Sequence, residues 1–119
     1  MATHNELGKQ GEELAVEYLQ KKKYIILERN WRFKKAEVDI IARKENVLAV
    51  IEVKTRTSNY FGNPQDFVNA KKIKLLVEAM NEYVTSKDLD VDVRFDIIAI
   101  LKNQYRFEIE HLEDAFLHF

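Results

Sequence analysis

Two alternating apolar segments joined by a short polar turn place the tightest constraint on how this chain can fold. Side chains alternate at period two over residues 37–43 and again over residues 47–54, which is the period of a β-strand. In the connection between them, Asn46 tolerates a positive φ angle, so we predict a hairpin with Glu45-Asn46 as a two-residue loop. Both faces of the hairpin are apolar in the middle, as in a central hairpin that is covered on both sides.

The turn sets the register of this hairpin. Residues directly opposite in an antiparallel pair share a face, with Cβ atoms about 5 Å apart. On one face the register predicts the pairs Arg43 with Leu48, Ile41 with Val50, Asp39 with Glu52, and Glu37 with Lys54. The other face is predicted to be apolar, with Val38, Ile40, Ala42, Ala49, Ile51 and Val53. The charged side chains therefore gather at one end of one face.

The charged end of the hairpin has the composition of a divalent-metal site for phosphodiester chemistry. Mg²⁺ takes oxygen ligands and usually holds one or two carboxylates, with water and substrate phosphate in its other positions. Such a metal polarises a phosphoryl oxygen and lowers the pKa of a bound water. Lys54 beside Asp39 and Glu52 would then position that water or neutralise developing charge. The structural alternative is an ordinary strand-end salt bridge between Lys54 and either Glu37 or Glu52.

Composition limits the class of protein further. The chain has 119 residues, of which 46% are hydrophobic, with one Pro and three Gly, so we expect one compact domain over 1–119. Its apolar runs are too short to span a membrane, and the polar N-terminus lacks a signal-peptide core, which predicts a cytoplasmic protein. The lack of cysteine excludes disulfides and thiol chemistry. The histidines lack ligand spacing and are expected in solvated or tail positions: His4, His111 and His118.

Charge is unevenly distributed along the chain. The net charge of −1 conceals a surplus of +8 in residues 21–74, which contain 14 Lys and Arg against 6 Asp and Glu. This basic middle brackets the hairpin, as a polyanion bound through its phosphates would require; a solvated charged face is the alternative. The side chains that we predict to contact nucleic acid are Arg56, Lys71, Lys72 and Lys74.

The segment before the hairpin predicts a helix and a strand. Thr3-x-x-Glu6 is a capping box for a helix that runs to about Lys22. On a helical wheel Glu12 lies at the border of the apolar stripe and faces the sheet, whereas Glu13 faces water. Gly8 and Gly11 lie on the same side and permit close backbone approach. A strand follows from Tyr24 to Phe33.

The segment after the hairpin predicts one helix and two strands. Asn63-Pro64 has the N-cap and first-turn chemistry of a helix, which we expect to continue to about Thr85. Strands are expected over 92–101 and 105–110. The resulting order αβββαββ predicts an α/β fold with a mixed sheet flanked by helices.

Asp39 and Glu52-Val53-Lys54, on the second and third strands after a helix, resemble the PD-(D/E)xK pattern of restriction-endonuclease-like proteins. Wider motifs resemble the YraN family, small bacterial proteins related to archaeal Holliday-junction resolvases. Two positions depart from these patterns: Ala36 stands where the family usually has Gly, and Val38 replaces the Pro of the superfamily's name. The matching motifs are Gly8-x-x-Gly11-Glu12-x-x-Ala15-x-x-Tyr18-Leu19, Asn30-Trp31-Arg32, Glu37-Val38-Asp39-Ile40-Ile41-Ala42, Glu52-Val53-Lys54-Thr55-Arg56, Phe61-Gly62 and Arg94-Phe95-Asp96.

The resemblance implies a restriction-endonuclease-like core, a nucleic-acid partner (DNA in the first instance) and a metal-dependent endonuclease site. By resemblance, Glu12, Asp39, Glu52 and Lys54 form the catalytic constellation. Asp39, Glu52 and the backbone carbonyl of Val53 would hold Mg²⁺ or Mn²⁺. Cleavage of four-way junctions normally needs two symmetric sites, so a homodimer is the assembly that this activity would require. The alternative is a catalytically inactive nucleic-acid-binding or protein-interaction module on a nuclease scaffold, because fold alone does not determine activity.

Overall fold

The protein has a mixed α/β architecture with the predicted order αβββαββ. The computed structural model describes residues 4–57 and 69–115. Within these ranges, neither helix is long and apolar enough to cross a membrane. The elements are α1 (His4–Lys21), β1 (Ile25–Phe33), β2 (Ala36–Lys44), β3 (Val47–Arg56), α2 (Ala70–Ser86), β4 (Asp92–Lys102) and β5 (Phe107–Leu112).

The five strands form one sheet in the order β1-β2-β3-β4-β5. Strands β1, β2 and β3 are antiparallel neighbours, β3 and β4 run parallel, and β4 and β5 are antiparallel. A parallel pair needs a crossover connection, and the segment between β3 and β4, which contains α2, provides it. The sheet is therefore mixed, as the sequence predicts.

Two apolar layers cover the sheet, one on each face. Successive side chains of β3 divide between them, with Leu48 and Val50 on one side and Ala49 and Ile51 on the other. Helix α2 covers the first side with Leu76, Ala79, Met80 and Tyr83. Helix α1 covers the second side with Ala15, Val16 and Leu19. The β2–β3 hairpin is thus covered on both faces, as its two apolar faces predict.

The side-chain alternation of β2 breaks at Asp39. The predicted register holds from Lys44–Val47 to Ile40–Ile51, and Ile40 packs on the α1 side as expected. Val38 packs instead on the α2 side, so its predicted place on the face of Ile40 is wrong. The break coincides with a local irregularity in β1: across from Asp39, between the pairs Arg29–Ile40 and Trp31–Val38, Asn30 has a φ of 50°, which a regular strand does not allow.

Local details of the turn and the helix starts also differ from the predictions. In the hairpin loop the positive φ (54°) belongs to Glu45 and not to Asn46. Helix α2 begins at Ala70, where the side chain of Asn69 accepts a hydrogen bond from the backbone N–H of Lys72, the geometry of an N-cap. The predicted start at Asn63-Pro64 and the capping residue Thr3 lie outside the described residues.

Candidate active site

Asp39 sits where regular pairing between β2 and β3 ends. The last pair at this end of the hairpin is Ile40–Ile51. Beyond it, the Asp39 carboxylate accepts a hydrogen bond from the backbone N–H of Val53 at 2.8 Å. A side chain here replaces a backbone carbonyl as the partner of β3, so the Asp39 carboxylate is held beside the strand that carries Glu52 and Lys54. The predicted direct pairing of Asp39 with Glu52 is replaced by this side-chain contact.

The environment of Asp39 disfavours the ionised form of its carboxyl group. Burial, together with the negative charge of Glu52, raises the pKa of Asp39 to about 6. The hydrogen bond from Val53 opposes this, Glu12 adds a smaller repulsion, and Lys72 a small attraction. The neighbouring carboxylates Asp39, Glu52 and Glu12 therefore carry more negative charge than the nearby lysines neutralise. A bound cation would reduce this repulsion.

Two lysines contact Glu52 from different elements. Lys54 lies two residues further along β3, on the same side of the strand, and its Nζ is 3.4 Å from Glu52 Oε1. Lys72 reaches the same oxygen from the first turn of α2, at 2.7 Å. Only 9% of the Glu52 side chain is exposed, so this is a mostly buried ion-pair cluster. Lys54 therefore forms the strand-end salt bridge with Glu52 that was the structural alternative to a catalytic role.

Helix α1 brings Glu12 to this cluster. A Cβ atom on Gly11 would collide with Thr55 Oγ1 of β3, so Gly11 allows the helix to approach the strand closely. Gly8 has nothing within 4 Å of such an atom, so the close approach predicted for both glycines occurs at Gly11. Glu12 Oε1 is buried without a hydrogen-bond partner in the described part of the protein.

The predicted nucleic-acid-binding side chains fall into two groups. Lys71 and Lys74 are exposed on α2. Lys72 is turned towards Glu52, and Arg56, at the end of β3, is half-buried and donates to the carbonyl of Thr55. The structure therefore brings together Asp39, Glu52, Lys54 and, unexpectedly, Lys72, because the side chain from the first turn of α2 reaches across to β3. Glu12 lies close enough to Asp39 for its charge to raise the pKa of Asp39.

One prediction about histidine is wrong. The side chain of His111 is only 7% exposed, and its Nε2 lies 2.8 Å from Oδ2 of the fully buried Asp96. Asp96 interrupts the apolar run of β4, and a carboxylate in such a position requires partners. A carboxylate within the apolar run of β4 was therefore the signal in the sequence for a buried polar contact. The partner, His111, lies on β5, and the spacing of residues along the chain does not identify it. His118 and the side chain of His4 lie outside the described part of the chain.

The carboxylates of this cluster are candidate ligands of a divalent metal. Over residues 4–57 and 69–115, no group of three or more His, Asp or Glu side chains is arranged to hold a metal ion. Asp39 and Glu52 supply two carboxylates, which is within the number that Mg²⁺ usually takes, the remainder being water and substrate. The raised pKa of Asp39 and the unpartnered oxygen of Glu12 fit a site that a cation and its water complete.

Comparison with known proteins identifies the family. The chain is 66% identical over 119 residues to a UPF0102 protein of Flavobacterium psychrophilum, with all of both chains covered. It is 63% identical to one from Christiangramia forsetii over the same full length. A relative from Phocaeicola vulgatus is 49% identical over 116 residues, which are 98% of this chain and 96% of the relative. The model of the uncharacterised protein family UPF0102 matches residues 11–100, so the chain belongs to UPF0102, the YraN-like family that its motifs resemble.

Proposed function

We propose that this protein binds nucleic acid and hydrolyses phosphodiester bonds with a divalent metal held by Asp39 and Glu52. The observation that carries the proposal is the state of Asp39: it is fixed by the backbone of β3, and burial and the charge of Glu52 raise its pKa to about 6. Titratable groups perturbed in this way occur preferentially at functional sites. Mg²⁺ or Mn²⁺ at this position would supply Lewis-acid activation of a phosphoryl oxygen and of water.

Each residue of the cluster has a role in this proposal. Asp39 and Glu52, with the carbonyl of Val53, would hold the metal. Lys54, at 3.4 Å from Glu52, would orient the attacking water or neutralise negative charge on the phosphoryl group. In the described part of the protein, three carboxylates are not arranged to bind one metal ion. Glu12 would therefore not be a metal ligand and would accept a hydrogen bond from a water molecule at its unpartnered oxygen.

The element order supports the finer assignment of the fold as restriction-endonuclease-like. A helix, three antiparallel strands, a second helix and a parallel strand follow one another here, with the cluster on the second and third strands. This is the order expected for a PD-(D/E)xK core.

Nucleic acid is the partner that the charge distribution favours. Lys71 and Lys74 are exposed beside the cluster on the first turns of α2. A cavity of about 160 Å³ next to them is lined in part by Lys35, Glu37 and Lys72. Exposed lysines along one surface supply the phosphate contacts that dominate nucleic-acid affinity. We therefore propose that a strand, DNA in the first instance, lies over the start of α2 and β2.

The position of Lys72 favours a second candidate function. Its ammonium group is 2.7 Å from Glu52 Oε1, so it already supplies a positive charge that a metal would otherwise bring. A protein in which this ion pair is permanent would be a nucleic-acid-binding or protein-interaction module without catalysis. Metal binding distinguishes the two functions directly.

The deciding experiment is a titration of Mn²⁺ and Mg²⁺ into the purified protein, with thermal unfolding and cleavage of labelled nucleic acid followed in parallel. The substrates are branched, duplex and single-stranded DNA and RNA. A hundredfold excess over Kd stabilises the folded state by about 2.7 kcal/mol, which is readily measured. A nuclease shows both stabilisation and cleavage, whereas the non-catalytic module binds nucleic acid without any metal effect.

Matched variants assign the roles. Asp39→Asn should abolish the metal-dependent stabilisation, and Lys54→Met should keep it while losing cleavage. Glu12→Gln is paired with Glu13→Gln, because Glu13 is the next residue of α1 but is exposed and bound to Arg29. Metal stabilisation that survives Asp39→Asn would exclude the proposed metal site.

A further inference from the structure

A second polar cluster lies on the α1 side of the sheet, away from the carboxylates. Its centre is Asp96 of β4, which is fully buried. The Asp96 carboxylate accepts hydrogen bonds from the Arg94 guanidinium at 2.9 and 2.8 Å, and from the backbone N–H of Asp114 at 3.0 Å. His111 completes the set. The Arg94-Phe95-Asp96 motif is thus explained by this cluster and not by the candidate active site.

These bonds keep Asp96 ionised. Burial opposes the charge of Asp96, but the hydrogen bonds from His111, Arg94 and Asp114 outweigh it and lower the pKa of Asp96 below its ordinary value. A carboxylate at Nε2 of His111 places a hydrogen on that nitrogen. The other ring nitrogen, Nδ1, then faces the hydroxyl of Tyr18 at 3.1 Å. A chain of polar contacts therefore runs from the buried carboxylate to Tyr18 of α1.

The cluster ends at a cavity of about 280 Å³. Its volume is close to the lower end of the range for small-molecule sites. Its wall is built from hydroxyl, imidazole, ammonium and carboxylate groups: Tyr18, Lys22, Tyr24, Lys44, His111 and Glu113. The cavity shares no residue with the candidate active site. Lys44 pairs with Val47 at the start of β3, and Glu52 lies five residues further along, which is about 17 Å of strand.

The charge around this cavity is positive. Lys22 lies over the ring of Tyr18, Lys44 lies over the ring of Tyr24, and within the described ranges neither ammonium group has a carboxylate partner. Glu113 is paired with Arg94 at 3.2 Å. Three cationic side chains against the two carboxylates of Asp96 and Glu113 leave an excess of one positive charge, which favours an anion.

The hydroxyl group of Tyr24 adds a donor for such an anion. Tyr24 accepts a hydrogen bond from Arg94 at 2.6 Å, so its own hydrogen remains to be donated. The Tyr18 hydroxyl donates its hydrogen to Nδ1 of His111, and burial, with a further contribution from the charge of Glu113, raises the pKa of Tyr18, so Tyr18 lines the cavity without being a free donor. Charge-assisted bonds from lysine and neutral bonds from tyrosine are the contacts that a phosphate group accepts.

We propose that the cavity between Tyr18, Tyr24 and His111 binds the phosphate group of a monophosphate. The volume exceeds that of phosphate alone, since it corresponds to about nine waters at roughly 30 Å³ each. A nucleoside 5′-monophosphate and the 5′-phosphate end of a nucleic-acid strand present the same group. This site requires neither the metal nor catalysis at Asp39, so it stands or falls independently of the proposed nuclease activity.

The test is a titration of metal-free protein with inorganic phosphate and with adenosine 5′-monophosphate, followed by the side-chain NMR signals of His111 and by thermal unfolding. Saturable shifts of the His111 signals at millimolar ligand are expected. Lys22→Gln and Lys44→Gln should each weaken binding roughly tenfold, the loss of one charge-assisted hydrogen bond. Lys22 is exposed and Lys44 is half-buried, and neither donates a hydrogen bond to the buried Asp96, so these variants are expected to retain the fold.

Lys21→Gln is the matched control, because Lys21 is the exposed neighbour of Lys22 and does not line the cavity. It should bind as the wild type does. Competition by a 5′-phosphorylated oligonucleotide, but not by its 5′-hydroxyl form, would assign the phosphate to a strand end; lack of competition by either would assign it to the free nucleotide. Unshifted His111 signals, or equal weakening by all three lysine variants, would overturn the proposal.

Discussion

Two aspartates of the sheet experience opposite electrostatic environments. Asp39 accepts one backbone hydrogen bond and faces Glu52, and burial raises its pKa to about 6. Asp96 is buried more completely, yet Arg94, His111 and a backbone N–H hold its pKa below the ordinary value. Burial alone therefore does not decide the charge state; the number of donors does. An under-coordinated carboxylate is available to a ligand, whereas a saturated one is structural.

Asp39→Asn should stabilise the protein at neutral pH. Below pH 3.8 Asp39 is protonated in both the folded and the unfolded state and has no effect. As the pH rises from 3.8 to the folded-state pKa of about 6, Asp39 ionises in the unfolded state but not in the folded state, which favours the unfolded state by up to about 3 kcal/mol above pH 6, at 1.36 kcal/mol for each unit of pKa. Asn keeps an acceptor for the Val53 N–H without the charge. Urea unfolding at pH 4 and pH 7.5 should show this advantage only at the higher pH.

The exposed aspartate at the start of β4 supplies the control for this measurement. Asp92→Asn should leave the free energy of unfolding unchanged at both pH values, because Asp92 is exposed. A loss of stability in Asp39→Asn at pH 7.5 would mean that the lysines neutralise Asp39 fully and that the site has no deficit of positive charge.

Asp96→Asn should have the opposite effect. The variant leaves Arg94 and His111 facing a neutral amide, and the loss of one partner from a buried charge pair costs about 3 kcal/mol or more. The folded-state pKa of Asp96 lies below its ordinary value of 3.8. The ionised Asp96 therefore contributes to the free energy of unfolding above pH 3.8, and this contribution is lost as the pH falls from 3.8 through the folded-state pKa. The difference between wild type and variant in urea unfolding should therefore be large at pH 7 and shrink in acid. Equal stability at pH 7 would show that the cluster does not depend on the charge.

At the scale of elements, the sequence predicts what is periodic and local. The period-two pattern predicts β2, β3 and their register. In a hairpin covered on both faces, each apolar side chain packs against one particular layer, and a shift of one residue would move it to the other face. The pattern did not predict the break at Asp39, where Asn30 on a neighbouring strand changes the geometry. The contacts of Lys72 and His111 could not be predicted for the same reason: their partners Glu52 and Asp96 lie on other elements, and spacing along the chain carries no information about such contacts.

The contact between α1 and β3 gives a prediction with a control in the same helix. Gly11→Ala should destabilise the protein and displace Glu12, because the new methyl group collides with Thr55 Oγ1. Gly8→Ala has open space around it and should stabilise the helix by about 0.5–1 kcal/mol, the difference in helix propensity between Gly and Ala. Thermal unfolding measures both. Thr55→Ala in the Gly11→Ala background should recover part of the loss, and stabilisation by Gly11→Ala alone would exclude a tight contact.

At the scale of the whole molecule, the lysines of the basic middle (residues 21–74) fall into groups with different contacts. The basic middle has a surplus of +8, but its lysines are not equivalent. Lys72 binds Glu52, Lys22 and Lys44 line the second cavity, and Lys71 and Lys74 are exposed on α2. The net charge of a segment therefore overestimates the number of groups that one nucleic-acid backbone can contact at the candidate active site. Contacts with a nucleic-acid backbone should be concentrated at the first turns of α2.

The salt dependence of nucleic-acid binding tests this division. Lys71→Gln with Lys74→Gln should weaken binding to all sequences and reduce the slope of log K against log salt by about one for each lysine, because each phosphate contact releases about one counterion. Lys72→Gln should leave the slope unchanged, since its ammonium group is held by Glu52. Lys102→Gln, on β4 outside the basic middle, is the control for a general change in net charge. Fluorescence anisotropy at several salt concentrations measures all four proteins; a slope that falls equally in every variant would mean that the nucleic acid responds to the net charge and not to the surface of α2.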